Sequence, residues 1–142
     1  MPYEIIEHTA DIGLRVRAGD LPVLFGDAAR GFFELVTDPV ALKKSEPVVF
    51  QNVEVNFREE NAEELFMHWL QELLFIFSVR RVVLTDCHFD SLTPMMLKLK
   101  ARAVLFDPKR HVARHEIKAV THHRFRVAWN ARGWEAEVYF DI

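Results

Sequence analysis

Oxygen donors stand near both ends of the chain, and they are the residues best suited to bind a metal ion. Asp11 lies in the segment EHTADIG at 7–13, and Asp141 immediately precedes the last residue, Ile142. The two carboxylates and the main-chain carboxylate of Ile142 are hard donors of the type that Ca²⁺ and Mg²⁺ bind. If the strands that carry them are neighbours, the donors converge on an anionic cup. Small domains without a metal also end in this way, so both interpretations stay open at this point.

Histidines form a second group of candidate ligands. His8 lies three residues before Asp11, from where it could orient a ligand carboxylate. Four others stand in the C-terminal half: His111, His115, His122 and His123. The first two would share a face only in a helix, whereas the pattern there predicts a loop followed by a strand. This disfavours a zinc site, and solvated histidines near a turn are the favoured alternative.

Several other kinds of site find little support. The five glycines form neither a phosphate-binding loop nor a dinucleotide fingerprint, and no Gly-x-Ser-x-Gly motif marks a nucleophilic serine. Cys87 and His88 are neighbours on a predicted strand, where adjacent side chains face opposite sides, so a buried inert thiol is favoured. Lys98, Lys100 and Arg102 alternate with apolar residues, as in a phosphate-binding stripe or in the solvated side of a sheet.

Composition indicates one domain over residues 1–142. Half of the chain is hydrophobic and 12% is aromatic, which excludes disorder as the main state. The length suffices for a core without disulfides, and the single cysteine is typical of a reducing compartment. No apolar run reaches the roughly 20 residues of a membrane span, and the first residues do not resemble a secretory signal. We therefore expect a soluble, cytoplasmic protein.

Charge is distributed unevenly along the chain. Residues 1–78 hold six Lys and Arg against fourteen Asp and Glu, whereas residues 79–142 hold twelve against seven. The net charge is therefore −8 in the first part and +5 in the second. Such a difference indicates either two partners of opposite charge or two differently solvated faces of one domain. An overall charge of −3 is weak support for nucleic-acid binding.

Two amphipathic helices are predicted in the first half. Asp20 can cap the first helix, with Pro22 in its first turn, and Asp38-Pro39 ends it. Asn61 can cap the second helix. Both carry apolar residues at helical spacing, which indicates a core stripe rather than a cofactor site. These residues are Leu21, Leu24, Phe25, Ala28, Phe32, Leu35 and Val36, then Leu65, Phe66, Trp69, Leu70, Leu73, Leu74 and Phe77.

Strands account for most of the remainder. Alternating or continuous apolar patterns predict strands at 3–6, 12–16, 48–57, 82–84, 96–104, 116–121, 125–129 and 134–140. Turns are predicted at 90–91 and 107–108, and a hairpin turn at 130–133. The predicted fold class is α+β, a mainly antiparallel sheet with two helices packed against it.

Motifs along the whole chain together resemble those of the archease family. They are EHTADIG at 7–13, Asp38 after the first helix, WLxELL at 69–74, DPxRH at 107–111, KAVT at 118–121, and the ending from Gly133-Trp134 to Phe140-Asp141-Ile142. One departure is visible, because the family commonly has Tyr-His after Ala-Val-Thr and this chain has His122-His123. A role for a tyrosine at that position is therefore not carried over.

The resemblance implies an accessory protein, not itself an enzyme. Archeases assist the RtcB-type RNA ligase, which joins tRNA exons in splicing and repairs broken RNA. They promote guanylylation of the ligase's histidine by GTP and permit multiple turnover. The family binds a divalent cation, taken as Ca²⁺ with Mg²⁺ or Mn²⁺ as alternatives, at positions that correspond here to Asp11, Asp141 and Ile142.

Two other functions stay open. The family has also been described as chaperone-like toward a tRNA methyltransferase, a role that would depend on an exposed apolar patch. A stand-alone metal-dependent hydrolase is disfavoured, because His8 is the only candidate general base near the cup.

Overall fold

The computed structural model describes residues 2–7 and 10–142 and places them in ten helices and strands. In chain order these are β1 (Tyr3–Glu7), β2 (Asp11–Ala18), α1 (Leu21–Val36), α2 (Pro39–Lys44), β3 (Phe50–Arg58), α3 (Ala62–Ser78), β4 (Val82–Thr93), β5 (Met96–Leu105), β6 (Ala119–Asn130) and β7 (Gly133–Asp141). The predicted α+β class is confirmed.

The strands form two antiparallel sheets within the described residues. One has the order β1-β2-β7-β6, and the other has the order β3-β5-β4. We had expected one mainly antiparallel sheet, because alternation within a strand carries no information about its partners. In the second sheet, β3 pairs with β5, although α3 and β4 lie between them in the chain. Strand β5 also pairs with β4. Non-local pairing of this kind is decided by packing of the whole domain.

Helix boundaries follow the predicted caps. The side chain of Asp20 accepts a hydrogen bond from Val23 N at 2.9 Å, and that of Asn61 accepts one from Glu64 N at 2.9 Å. Asp38 does more than follow α1, because its side chain also accepts a hydrogen bond from Ala41 N at 3.1 Å. It therefore caps a third, short helix, α2, which the sequence prediction did not include.

Two strands are longer than predicted because irregularities are accommodated within them. Strand β6 runs through 119–130, with a register shift between Thr121 and Arg126, where two separate strands were expected. Strand β4 continues through the predicted turn at 90–91, with a register shift between Phe89 and Ser91. Bulges add residues to one strand and bend it without ending the ladder. The predicted hairpin turn at 130–133 is confirmed.

The core lies between the helices and the sheets. Helix α1 packs against β2 and β4, and α3 packs against β4 and β6. Phe25, Phe32, Phe66 and Trp69 are fully buried, as the predicted stripes require. Burial of each such side chain contributes about 1.5–3 kcal/mol. Trp69 also satisfies its indole N–H, which donates to the Phe25 carbonyl oxygen at 3.0 Å.

Over residues 2–7 and 10–142, the structure contains no helix of sufficient length and apolarity to cross a membrane. The cytoplasmic location expected from the sequence stays a prediction.

Candidate metal centre

Pairing of β2 with β7 brings together the two aspartates selected from the sequence. Asp11 lies directly opposite Asp141 in the antiparallel register, so the two side chains project from the same face of the sheet. Ile142 follows at once, and its N–H donates to the Ala10 carbonyl oxygen at 3.5 Å. The three predicted donors therefore lie at one end of the two central strands of the four-stranded sheet. We call the facing pair Asp11 and Asp141 the acidic rung.

One oxygen of this rung is buried without a partner. Asp11 Oδ1 is shielded from solvent and makes no hydrogen bond within the described residues. Asp141 is exposed and Ile142 is half-buried, so this end of the strands opens to solvent on one side. A buried charged acceptor without a partner costs more than the roughly 1–3 kcal/mol of a neutral one. Two facing carboxylates with one such oxygen are a donor set suited to a hard cation.

Side chains alone provide few metal ligands at the acidic rung. No group of three His, Cys, Asp or Glu side chains is placed to hold a metal ion in residues 2–7 and 10–142. The predicted site supplies two side chains and takes its third donor from the main chain of Ile142. His8, which we expected to orient a ligand carboxylate, lies outside the described residues, and that expectation stays a prediction.

A cavity of about 270 Å³ opens beside the acidic rung. Its lining residues are Ala10, Asp11, His123, Arg124 and Tyr139. His123 and Arg124 reach it because they lie within the irregular part of β6, where Arg124 adopts a left-handed backbone with φ of 54°. Asparagine and glycine are the usual residues at such a φ, so nothing in the local sequence predicts this placement of Arg124.

Tyr139 forms the cavity wall next to the rung. It lies opposite Gly13 in the ladder and is 3% exposed. A Cβ added at Gly13 would lie 2.6 Å from Tyr139 Cε1, so the ring occupies the space that any other residue would need. The Tyr139 carbonyl oxygen accepts a hydrogen bond from Thr121 Oγ1 at 3.0 Å. Tyr139 was not predicted to belong to the site, although a glycine at position 13 of an alternating strand indicates close approach of another group.

The same face of the sheet carries opposite charges further along. Arg15 donates two hydrogen bonds to Glu137 Oε1, from Nε at 3.0 Å and from Nη2 at 2.9 Å. Arg17 lies 3.6 Å from Glu135, which also accepts a hydrogen bond from Arg126 Nη2 at 2.9 Å. The hydrogen bonds that Arg15 donates to Glu137 raise the pKa of Arg15, and the hydrogen bond that Glu135 accepts from Arg126 lowers the pKa of Glu135. We call the facing pairs 15/137 and 17/135 the ionic rungs.

The acidic rung has no such compensation in the described part of the chain. None of the ion pairs formed there includes Asp11 or Asp141. Arg124 lines the adjacent cavity but does not form one of these pairs. The face therefore changes from paired opposite charges to unpaired like charges within one pair of strands.

His111 departs from the expectation of a solvated histidine. It is 9% exposed, and its Nδ1 accepts a hydrogen bond from Asp107 N at 2.8 Å. The backbone N–H of His111 donates to the Asp107 carbonyl oxygen at 2.8 Å, so the two residues close a tight loop. His115 is four residues further on in non-helical backbone. The two rings therefore do not share a helical face.

The remaining candidates have ordinary structural roles. Burial raises the pKa of the Cys87 thiol to about 11, so little thiolate is present at neutral pH, as expected of an inert thiol. Lys100 lies 3.8 Å from Asp90, and the Arg102 guanidinium lies 4.0 Å from the centre of the Phe50 ring. Both charges are thus engaged on the solvated side of the second sheet, which favours that interpretation over a phosphate-binding stripe.

Comparison with known proteins gives the same family throughout the chain. The profile of the family described as "Archease protein family (MTH1598/TM1083)" matches residues 3–142. The archease of Methanopyrus kandleri is 33% identical over 145 residues, covering 100% of both chains. The archease of Thermococcus kodakarensis is 34% identical over 144 residues, covering 99% of this chain and 98% of that one.

The fold agrees as well. The solution structure of Methanobacterium thermoautotrophicum protein 1598 superposes with a TM-score of 0.71 at 29% sequence identity, and the match covers 99% of each chain. Sequence and structure thus match over essentially the full length, including both strands of the acidic rung. The chain belongs to the archease family.

Proposed function

We propose that this protein activates an RtcB-type RNA ligase in tRNA splicing and RNA repair by means of a divalent cation held at the acidic rung. It would promote guanylylation of the ligase's histidine by GTP and permit multiple turnover. The observation that carries the proposal is the facing pair Asp11 and Asp141, with Asp11 Oδ1 buried and unpaired within the described residues. Membership of the archease family supports it.

The donor set favours Ca²⁺, with Mg²⁺ or Mn²⁺ as alternatives. Asp11, Asp141 and the main-chain oxygens of Ile142 would hold the ion. Ca²⁺ accepts six to eight oxygen ligands in irregular geometry, whereas Mg²⁺ demands a near-ideal octahedron, and a site with one side exposed to solvent suits the former. When bound, the cation supplies a positive charge that can neutralise and orient phosphate oxygens.

The protein's own residues hold the site in place. The hydrogen bond between Ile142 N and Ala10 O keeps the last residue beside the rung. Lys118 N donates to the Asp141 carbonyl oxygen at 2.8 Å and so ties β7 to the residue that precedes β6. The described lining of the cavity includes no serine, threonine or cysteine.

Single-turnover guanylylation of the ligase with GTP tests the proposal. Wild-type protein should stimulate the reaction, and Asp141→Ala should abolish the stimulation while leaving the fold intact. Asp86→Ala is the matched control, because Asp86 is an exposed carboxylate on β4 in the other sheet. Full stimulation by both variants would contradict a role for the acidic rung, and no stimulation by the wild type would contradict ligase activation itself.

A tailed protein tests the donor from Ile142. Residues added after Ile142 turn its carboxylate into a peptide carbonyl, which removes one negative charge from the site. We expect weaker Ca²⁺ binding in calorimetric titration. Unchanged affinity would show that the carboxylate charge of Ile142 is not used.

A chaperone-like role toward a tRNA methyltransferase is the alternative function. It requires exposed apolar surface, which Phe75 and Val79 at the end of α3 provide with 51% and 64% exposure. The double variant Phe75→Ser and Val79→Ser should then lose chaperone-like activity toward the methyltransferase, whereas Asp141→Ala should retain it. The ligase proposal predicts the opposite order.

A further inference from the structure

A positive charge lies beside the acidic rung and is not paired with it. The cavity of about 270 Å³ next to Asp11 has one arginine in its wall, Arg124. Arg124 is exposed and takes part in none of the ion pairs among the described residues. Asp11, in the wall of the same cavity, is likewise absent from these pairs. One opening thus presents an acidic and a basic group that are separate from each other.

The backbone of Arg124 indicates that its side chain has a use. Its φ of 54° lies in the left-handed region, which favours glycine and asparagine. Among the described residues, the other non-glycine residue with positive φ is Arg81, which follows the C-terminal end of α3, where left-handed backbone is common. Arg124 lies instead within strand β6. A bulge there accounts for the φ but not for an arginine, and uncommon backbone conformations cluster at functional sites.

Contacts with β7 fix the segment that carries Arg124. Thr121 Oγ1 donates a hydrogen bond to the Tyr139 carbonyl oxygen at 3.0 Å and accepts one from His123 N at 3.3 Å. The centre of the His123 ring lies 6.1 Å from that of the buried Tyr139 ring. These contacts hold the irregular part of β6 against the strand that ends in Asp141. The placement of Arg124 beside the cavity is therefore set by the same strand that supplies one half of the acidic rung.

The charges of the cavity suit an anion only when the acidic rung is neutralised. In the absence of a cation, the carboxylate of Asp11 repels an anion. With a cation held at the rung, the ion and the guanidinium group of Arg124 both present positive charge to the cavity. Guanidinium groups bind phosphate through paired N–H donors. A volume of about 270 Å³ is below the roughly 300–1,000 Å³ of sites that enclose a whole drug-sized ligand, so it accommodates a phosphate group rather than a complete nucleotide.

We propose that Arg124 forms a phosphate subsite beside the acidic rung and contacts the polyphosphate chain of a nucleoside triphosphate that also ligates the cation. The proposal deepens the proposed function and rests on its cation site. The base and the sugar remain outside the cavity. A carboxylate also pairs with arginine, but a triphosphate has enough oxygens to bind the cation and the guanidinium group together.

Calorimetric titration with inorganic triphosphate, at a fixed excess of free Ca²⁺, tests the subsite. Wild type should bind, and a chelator should weaken binding by about 5- to 150-fold, the usual range of coupling between two sites. Arg124→Asn should weaken binding in the presence of Ca²⁺ by about 10- to 150-fold, as expected for loss of a hydrogen-bonded charged partner. Asparagine is chosen because it tolerates the left-handed backbone.

Matched variants and ligands separate the subsite from the cation site. Arg132→Asn should bind triphosphate like the wild type, because Arg132 is also an exposed arginine outside the ion pairs of the described residues but lies at the other end of β7. In titrations with Ca²⁺ alone, Arg124→Asn should bind as tightly as the wild type, whereas Asp141→Asn should lose affinity. GTP should bind as tightly as inorganic triphosphate, and guanosine should not bind.

The possible failures are distinguishable. Binding of Ca²⁺ without binding of triphosphate, or equal triphosphate binding by wild type and Arg124→Asn, would overturn the subsite and leave the cation site in place. Absence of Ca²⁺ binding by the wild type would overturn the cation site and the subsite with it. Tighter binding of an RNA oligonucleotide with a terminal phosphate than of GTP would overturn the assignment to a nucleoside triphosphate.

Discussion

Strands β2 and β7 carry charged side chains along one face, and the facing charges are paired differently at its two ends. Toward the hairpin, the ionic rungs place Arg15 opposite Glu137 and Arg17 opposite Glu135. Toward the other end, the acidic rung places Asp11 opposite Asp141. The backbone geometry is the same antiparallel ladder throughout. The difference therefore lies in the side chains alone.

Facing charges have opposite effects in the two places. Opposite charges across a ladder contribute roughly 0.2–1 kcal/mol, and like charges that face each other are destabilising. The ionic rungs thus stabilise the fold, whereas the acidic rung lowers the stability of the metal-free protein. A bound cation would make the acidic rung stabilising and would leave the contribution of the ionic rungs unchanged. Stability measurements can therefore distinguish the two ends before any partner is added.

The largest expected effect is loss of calcium-dependent stabilisation at the acidic rung. Free Ca²⁺ at about 100 times its Kd should raise the free energy of unfolding of the wild type by about 2.7 kcal/mol. Asp11→Asn and Asp141→Asn should each remove most of this gain, since each replaces a charged ligand. Glu137→Gln, on the nearest ionic rung, should retain it. Thermal unfolding with Ca²⁺ and with a chelator measures the gain, and equal gains in all four proteins would rule out the site.

The next largest effect is expected from a methyl group added at Gly13, between the acidic rung and the ionic rungs. Gly13→Ala places a Cβ 2.6 Å from Tyr139 Cε1, so the ring must move. Overpacking of this kind costs about 1–3 kcal/mol, and displacement of Tyr139 should also weaken Ca²⁺ binding. Gly26→Ala is the control, because a Cβ there meets nothing within 4 Å and alanine favours the helix. Urea denaturation compares them, and similar losses in both variants would contradict the packing role of Gly13.

A smaller loss is expected at the ionic rung nearest to that glycine. Glu137→Gln removes the charge that accepts two hydrogen bonds from Arg15. We expect a decrease of about 1 kcal/mol in the free energy of unfolding, because the pair is charge-assisted but partly solvated. The decrease should diminish at high salt. No change at low salt would show that Glu4, which also contacts Arg15 at 3.0 Å, suffices for it.

The smallest effect has the opposite sign. In the presence of a chelator, Asp141→Asn should raise the free energy of unfolding by a few tenths of a kcal/mol, because it removes one of two facing like charges. Chemical denaturation at low salt measures this change beside that of Glu137→Gln. Destabilisation by both variants would mean that the acidic rung is compensated by groups other than a metal.

The candidate site was partly predictable from the sequence. Asp11 and Asp141 were selected because carboxylates near the ends of alternating strands are suitable hard ligands, and the structure places them on one rung. His123, Arg124 and Tyr139 were not assigned to the site. They meet at the cavity because β6 shifts its register against β7 between Thr121 and Arg126. A register shift depends on the partner strand and leaves no local pattern.

His111 illustrates the same limit in a loop. Its neighbours in the sequence are polar and include a turn, which indicates exposure. The structure buries it against Phe106, at a ring distance of 5.8 Å, because the loop folds back on Asp107. Burial of a loop histidine depends on what lies beneath the loop, and that is contributed by other elements.

Elements whose causes are local could be predicted from the sequence. Caps at Asp20 and Asn61, apolar periodicity in α1 and α3, and the hairpin turn at 130–133 all depend on residues within a few positions of one another. Tertiary structure alone decided the division into two sheets, the continuity of β6 through its bulge, and the meeting of Asp11 with Asp141. These depend on which strands pair and in which register. Asp11 and Asp141 are 130 positions apart, and only the packed domain brings them together.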